Sequence, residues 1–211
     1  MKKFELTNEF ITNMFGTKLF RIRALVEFGD VEAGELGGYV EKESNLGHDD
    51  NAWVYDNAWV YGNARVYGDA LVYDNARVYD NAWVYGDAQV SGDALVYDNA
   101  RVYGNAWVYG DAQVSGDARV CGDARVCGNG DYAYAHGFGS VNRTTTFFRL
   151  KDGGVGVRCG CFYGTLAQFR DKIRETHGET KKAQEYLMLA DLMELRFEED
   201  ENEVGNRKYV E

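Results

Sequence analysis

The sequence predicts a mainly β protein built around a long parallel β-helix. Alanine occupies every sixth position from Ala52 to Ala124, and valine follows two residues after each alanine, from Val54 to Val126. Residues two apart in an extended chain point to the same side, so each Ala–Val pair marks the inner face of a short strand. The last two residues of all thirteen hexads are Gly, Asn or Asp, which favour corners. A six-residue period of strand and corner is typical of β-helices, whose units are stable only when stacked.

The repeat resembles the left-handed parallel β-helix of hexapeptide-repeat proteins, in which three hexads make one triangular coil. The resemblance covers residues 51–128. It implies a left-handed β-helix of about five coils over residues 40–128, with alanine and valine inside. The sequence departs from the family by placing tyrosine directly after most inward valines, where small or acidic residues are commoner.

The first coil has a different spacing from the others. Residues 40–46 fit the family pattern with Ser44 in the small inward position and Leu46 in the aliphatic one. Leu46 precedes Val54 by eight positions, whereas later valines are six apart, so two extra residues are expected to bulge out around His48.

Residues 1–39 are predicted to form a β-hairpin cap on the first coil. Residues 20–24 alternate apolar and basic side chains and are expected to pair with residues 4–11 across a turn at Gly16. A cap is needed because unpaired strand edges invite polymerisation.

The hexad spacing fails after Gly130, which predicts a linker over 129–141 and an α+β domain over 142–200, followed by a tail over 201–211. Residues 144–150 and 155–162 are expected to form a hairpin. Thr165 is a candidate N-cap for a helix that ends at Gly178, and Thr180 for a second helix.

Residues 143–178 and the phrase FRIRALVEFGDVEAGELGGYVEKESNL resemble flanking segments of phage- and prophage-encoded repeat proteins. This resemblance implies a phage or prophage context and the host-cell cytoplasm, and it implies no reaction.

Composition narrows the function. A formal net charge of −11 argues against direct nucleic-acid binding, although an acidic decoy of nucleic acid is an alternative. Four cysteines and a start without an apolar leader favour a reducing, cytoplasmic location, and no segment reaches transmembrane length.

An enzyme is the first functional alternative, because many hexapeptide-repeat proteins are trimeric acyltransferases that use a histidine base. His48, with Asp49 and Asp50 beside it, is the candidate here, but a loop histidine with acidic neighbours is more often a solvated residue. We therefore expect no catalytic residues and no cofactor.

The cysteines do not indicate a metal site. Cys121 and Cys127 are one hexad apart and so lie on different faces. Cys159 and Cys161 share one side of a strand but have no further ligand nearby, whereas structural zinc needs four. No metal is expected.

An ice-binding face is disfavoured because no face of the predicted prism is uniform. Trp59, Trp83 and Trp107 recur every 24 residues and therefore fall on three different faces of an 18-residue coil. The repeat instead predicts a tall, rigid scaffold for binding.

Two tyrosine ladders are expected on this scaffold. Tyr61, Tyr79 and Tyr97 form a candidate interface for a homo-oligomer, of which a trimer is one form, or for a host protein. Stacked tyrosines that only stabilise the ladder are the alternative.

A ligand site is predicted on the third face, for a small anionic, nucleotide-like ligand. Arginines would bind the phosphate and aromatic rings the base. The alternative is that corner acids such as Asp69, Asp87 and Asp123 neutralise the arginines, and that arginine only stacks on Trp83. The candidate residues are Arg65, Trp83, Arg101 and Arg119, with Tyr67, Tyr85 and Tyr103 beside them.

Overall fold

A computed structural model describes residues 2–138 and 142–198. The N-terminal strands are β1 (Phe4–Thr12), β2 (Lys18–Ala24) and β3 (Leu36–Val40). The repeat strands are β4 (Trp53–Val54), β5 (Trp59–Val60), β6 (Arg65–Val66), β7 (Leu71–Val72), β8 (Arg77–Val78), β9 (Trp83–Tyr85), β10 (Gln89–Val90), β11 (Leu95–Val96), β12 (Arg101–Tyr103), β13 (Trp107–Val108), β14 (Gln113–Val114), β15 (Arg119–Cys121) and β16 (Arg125–Val126). The C-terminal elements are β17 (Tyr132–Phe138), β18 (Arg143–Arg149), β19 (Val155–Cys159), β20 (Phe162–Thr165), α1 (Leu166–His177) and α2 (Lys181–Phe197).

The repeat strands form three parallel sheets, one for each face of a solenoid of about five turns. One sheet runs β4-β7-β10-β13-β16, a second β6-β9-β12-β15, and the third extends from the N-terminal strands through β5-β8-β11-β14. Partners along each face are one coil apart, as in the pairing of Val84 with Val102. The predicted mainly β fold with a parallel repeat helix is confirmed; its left-handed sense stays a prediction.

The solenoid core consists of the two fixed residues of the hexad. Every alanine from Ala52 to Ala124 and every valine from Val54 to Val126 is fully buried. The corners need left-handed backbone, and one column satisfies this with glycine alone, at positions 68, 86, 104 and 122. A Cβ on Gly68 would lie only 2.8 Å from the backbone nitrogen of Gly86, because successive corners stack directly on one another.

The first coil carries the two extra residues that the spacing predicted. Val40 pairs with Val60 and Leu46 with Val66, each 20 positions apart instead of 18. The inward position assigned to Ser44 is wrong, because the chain makes a 3-10 turn at Glu43–Asn45 that leaves Ser44 exposed and buries Asn45 completely.

Both ends of the solenoid expose backbone groups that have no further coil to pair with. Within the solenoid, Trp53 donates its N–H to the Ala70 carbonyl of the next coil. Each edge of a parallel sheet presents both N–H and C=O groups, so each end of the solenoid needs donors as well as acceptors. Both sets need partners, since an unpaired buried backbone group costs about 1–3 kcal/mol.

The carbonyl oxygens of the N-terminal edge receive hydrogen-bond donors, one on each face. The Lys3 ammonium donates to the Ala52 carbonyl at 2.8 Å, and the Asn45 amide donates to the Ala64 carbonyl at 2.8 Å. On the remaining face the β3 backbone donates to Ala58 from the Tyr39 N–H at 2.9 Å. The predicted hairpin pairing of β1 with β2 is also present and places Lys3 at this edge.

Side-chain acceptors and a hydroxyl donor cover the C-terminal edge, where the Tyr132 hydroxyl donates to the Gln113 carbonyl at 2.6 Å. The Asn129 amide oxygen accepts the Gln113 N–H at 2.9 Å, and the Thr146 hydroxyl accepts the Arg119 N–H at 2.9 Å. The Asp131 carboxylate accepts the Cys127 N–H at 3.0 Å. Side chains of both flanking segments thus pair with backbone groups that the end coils expose.

A four-stranded antiparallel sheet and two helices follow the solenoid. The sheet order is β17-β18-β19-β20, and α1 and α2 pack on it through Phe147, Phe169 and Tyr186. Both predicted N-caps are present: the Thr165 hydroxyl accepts the Gln168 N–H, and the Thr180 hydroxyl accepts the Ala183 N–H.

Two boundaries of this region differ from the sequence prediction. The expected linker over 129–141 contains β17, because residues 132–138 gain hydrogen-bond partners along β18. The expected hairpin of 155–162 divides into β19 and the start of β20, with Gly160 at a positive φ in the turn between them. The predicted tail over 201–211 lies outside the described residues. No helix in the described ranges is long and apolar enough to cross a membrane.

Candidate functional site

The third face of the solenoid places the predicted column of arginine and tryptophan in register. β6, β9, β12 and β15 align Arg65, Trp83, Arg101 and Arg119 at one position of successive coils. These side chains point outward because the valine that follows each of them points into the core.

Two arginines of this column lie against the Trp83 ring. The guanidinium carbon of Arg65 lies 5.8 Å from the ring centroid, and that of Arg101 lies 4.9 Å from it. The two arginines belong to the coils on either side of Trp83. The predicted cation–π contact is therefore present, and a base that stacked on Trp83 would compete with these arginines for the ring.

The tyrosine ladder beside this column is closed to an inserted ring. The ring centroids of Tyr67 and Tyr85 are 5.0 Å apart, and those of Tyr85 and Tyr103 are 4.9 Å apart, with planes within 1° of parallel. A third ring between two members would need a centroid separation of about 9 Å, twice that of an ordinary stacked pair.

The ladder ends at a cysteine. Cys121 pairs with Tyr103 in the next coil and is buried. Burial and a hydrogen bond with the Cys121 thiol raise the pKa of Tyr103. Cys121 thus occupies the place of the next tyrosine in the column, where strands β18 and β19 lie against β15.

The second predicted ladder is equally regular. Tyr61, Tyr79 and Tyr97 are half-buried and stack with centroid separations of 5.0 and 5.1 Å. Burial and the two flanking phenols raise the pKa of Tyr79 to about 12. Their role as an interface stays a prediction.

A cleft of about 290 Å³ lies where the C-terminal end of the arginine column meets the C-terminal domain. The solenoid contributes Arg101 and Arg119, and β18 contributes Arg143 from the other side. The remaining lining residues are Asn99, Asp117, His136, Asn142, Thr144 and Gly160.

Positive charge in this cleft exceeds negative charge. Among residues 2–138 and 142–198, no carboxylate lies within 4.0 Å of the Arg101, Arg119 or Arg143 guanidinium. Two of the three corner acids suggested as neutralising partners contact other groups: Asp69 accepts a hydrogen bond from the Asn51 amide, and Asp123 accepts one from the Asn105 amide.

Asp117 is the one carboxylate that lines the cleft within the described ranges. It accepts a hydrogen bond from the Asn99 amide at 3.2 Å, and its other oxygen lies 4.0 Å from His136 Nδ1. His136 Nδ1 also lies 2.9 Å from the Thr144 hydroxyl. Side chains that can form hydrogen bonds therefore surround the three arginines of the cleft.

The structure brings together only part of the predicted site. Arg101 and Arg119 line the cleft, whereas Arg65, Trp83 and the tyrosines are outside its lining. Asn99 and Asp117 could have been found from the sequence, since each precedes a cleft arginine by two residues. Arg143 and His136 carried no such signal, because their positions depend on how the C-terminal domain packs on the solenoid.

The candidate acyltransferase base is held by the N-terminal cap. The His48 ring stacks on Phe4 with centroids 4.4 Å apart, and its Nδ1 accepts the Lys3 N–H at 3.2 Å. Burial lowers the pKa of the Lys3 ammonium, which also donates to the Asp50 carbonyl. These contacts give His48 a packing role at the bulge.

Metal-ligating residues are not clustered in the described ranges: no group of three or more His, Cys, Asp or Glu side chains there could hold an ion. Cys159 accepts a hydrogen bond from the Thr145 hydroxyl at 3.2 Å, and Cys161 is exposed.

Comparison with protein families agrees with the observed repeat. The YdcK Beta solenoid repeat matches residues 58–72, 70–86, 96–110, 100–116 and 112–128. These matches cover parts of the solenoid and stop where β17 begins the C-terminal sheet. No curated protein matches the chain at a significant level of similarity. The fold and the family matches together identify the chain as a repeat β-helix protein.

Proposed function

We propose that the protein is a non-enzymatic binding protein that holds a small anionic ligand in the cleft between the solenoid and the C-terminal domain. The observation that carries this proposal is the convergence of Arg101, Arg119 and Arg143 without a carboxylate partner among the described residues. Guanidinium groups bind phosphate through paired, charge-assisted hydrogen bonds. The stacked coils supply a rigid wall for two of the three arginines.

The setting of this function is part of the same proposal. The resemblance of both flanks to phage and prophage proteins favours a viral protein in the host cytoplasm, which would sequester an anionic signal of host defence. A host protein or a second copy of the chain, bound at the Tyr61–Tyr79–Tyr97 ladder, is the alternative partner. Native mass spectrometry of protein from cell lysate distinguishes a retained small molecule from an oligomer or a bound protein.

Thermal melting in phosphate-free, low-salt buffer tests the anion site. Inorganic phosphate and ADP are expected to raise the Tm of the wild-type protein, and added salt is expected to weaken the effect. The double variant Arg101→Glu/Arg119→Glu should lose the shift while circular dichroism shows an intact fold.

A matched control separates the cleft from the rest of the solenoid. Arg77 and Arg125 stack on Trp59 and Trp107 at 4.5 and 4.4 Å, much as Arg101 stacks on Trp83, but they lie outside the cleft lining. Arg77→Glu/Arg125→Glu should therefore keep the anion-induced shift. Absence of any shift in the wild type, or equal losses in both double variants, would contradict the proposal.

Acetyl-CoA distinguishes this proposal from a hexapeptide-repeat acyltransferase. Because acetyl-CoA carries phosphates, its binding should be lost in Arg101→Glu/Arg119→Glu and retained in His48→Ala. Binding or acetyl transfer that requires His48 would favour the enzyme instead.

A further inference from the structure

The net positive charge of the cleft limits which anions it is expected to bind. This inference rests on the proposed anion site. The lining holds three arginines and one aspartate within the described residues, which leaves a formal charge of about +2 when His136 is neutral. A ligand with one negative charge would leave part of that excess uncompensated, whereas a ligand with two or more would neutralise it.

The spacing of the arginines indicates how that charge should be arranged. Arg101 and Arg119 are paired across adjacent strands, roughly 4.8 Å apart along the solenoid axis. Like charges placed directly opposite each other are unfavourable, and an anionic group that contacts both removes the repulsion. Arg143 reaches the cleft from β18, so it can contact a second anionic group of the same ligand.

Gly160 keeps space for this third arginine. It has a φ of 59° in the turn after β19, and a Cβ at this position would collide with Arg143 Nη1. A glycine here therefore permits the Arg143 side chain to lie along the backbone of the turn, beside the cleft.

The aromatic residues of this face lie outside the cleft lining and already have stacking partners. Arg65 and Arg101 lie against the Trp83 ring, and the Tyr67–Tyr85–Tyr103 rings stack on one another. Any base on the ligand would gain little binding energy from them. We infer that the cleft recognises a diphosphate group, with Arg101 and Arg119 holding one phosphoryl group and Arg143 the other, and that a nucleoside attached to it contributes little.

Isothermal titration calorimetry with four probes tests this inference: inorganic phosphate, pyrophosphate, AMP and ADP. Pyrophosphate should bind about tenfold or more tightly than phosphate, because a second phosphoryl group adds charge-assisted hydrogen bonds. ADP should bind within a few-fold of pyrophosphate, and AMP should resemble phosphate.

The variant Arg143→Gln separates the diphosphate inference from the anion site itself. Arg143 is exposed, so the substitution leaves the core unchanged. It should lower pyrophosphate affinity by a larger factor than phosphate affinity, so that the two affinities become similar; the control Arg125→Gln should change neither.

The possible results distinguish the diphosphate inference from the proposed anion site. Equal affinity for phosphate and pyrophosphate would overturn the diphosphate inference and leave the anion site standing. ADP binding more than tenfold tighter than pyrophosphate would overturn the inference as well, since the base would then contribute. Failure of all four probes to bind would overturn both the inference and the proposed function.

Discussion

Substitution of Thr146 by valine should expose how strongly the C-terminal cap stabilises the solenoid. Thr146 is fully buried, and its hydroxyl accepts the Arg119 N–H at 2.9 Å. Valine has nearly the same shape but no acceptor, so the N–H at the last coil would lose its partner. Leaving such a group unpaired costs about 1–3 kcal/mol, which should appear as a lower urea midpoint with an unchanged m value.

Thr145 provides the matched control in the same strand. It is also fully buried, but its hydroxyl donates to the Cys159 sulfur at 3.2 Å, and sulfur is a weak acceptor. Thr145→Val should therefore lower stability by less than about 1 kcal/mol, since the hydroxyl is removed together with its demand for a partner. Equal destabilisation by both variants, or none by Thr146→Val, would refute the view that side-chain acceptors hold the open edge.

Two further predictions concern the solenoid. Val84→Asp should lower the free energy of unfolding by at least about 3 kcal/mol, because it buries a charge without a partner, and a urea midpoint close to wild type would contradict the inward position. The fold raises the pKa of Tyr79 to about 12, above the value of about 10 in an unfolded chain, so the protonated phenol is favoured in the folded state. The resulting stabilisation is fully present below pH 10 and is lost as the pH rises through about 12, which urea unfolding across that range should detect and Tyr79→Phe should reduce.

The sequence predicted the solenoid because the information is local and periodic. Each hexad carries its own strand and corner, and the inward Ala and Val repeat without a gap from Ala52 to Val126. Where the period is interrupted, the spacing predicts the extra residues but not which side chain points inward. Ser44 occupies the expected position by counting, but the 3-10 turn rotates Asn45 inward, where its amide can reach two backbone carbonyls.

The C-terminal sheet was predicted less completely for the same reason. β17 alternates small and aromatic residues between glycines, and it forms a strand only through its pairing with β18. The candidate site contains one arrangement that the sequence predicts and one that it does not. The adjacency of Arg101 and Arg119 follows from the 18-residue coil, whereas the approach of Arg143 depends on contacts between elements far apart in sequence.

The overall charge of the chain and the local charge of the cleft have opposite signs, and this difference bears on partner size. The formal net charge is −11, and carboxylates such as Asp93 and Asp111 lie exposed at the solenoid corners. A long polyanion would have to bring many phosphates against that acidic surface in order to place a few in the cleft. A small anion meets mainly the arginines, because screening limits the reach of exposed charges to about 8 Å at physiological ionic strength. The arrangement therefore favours a compact anion over nucleic acid as the occupant of the cleft.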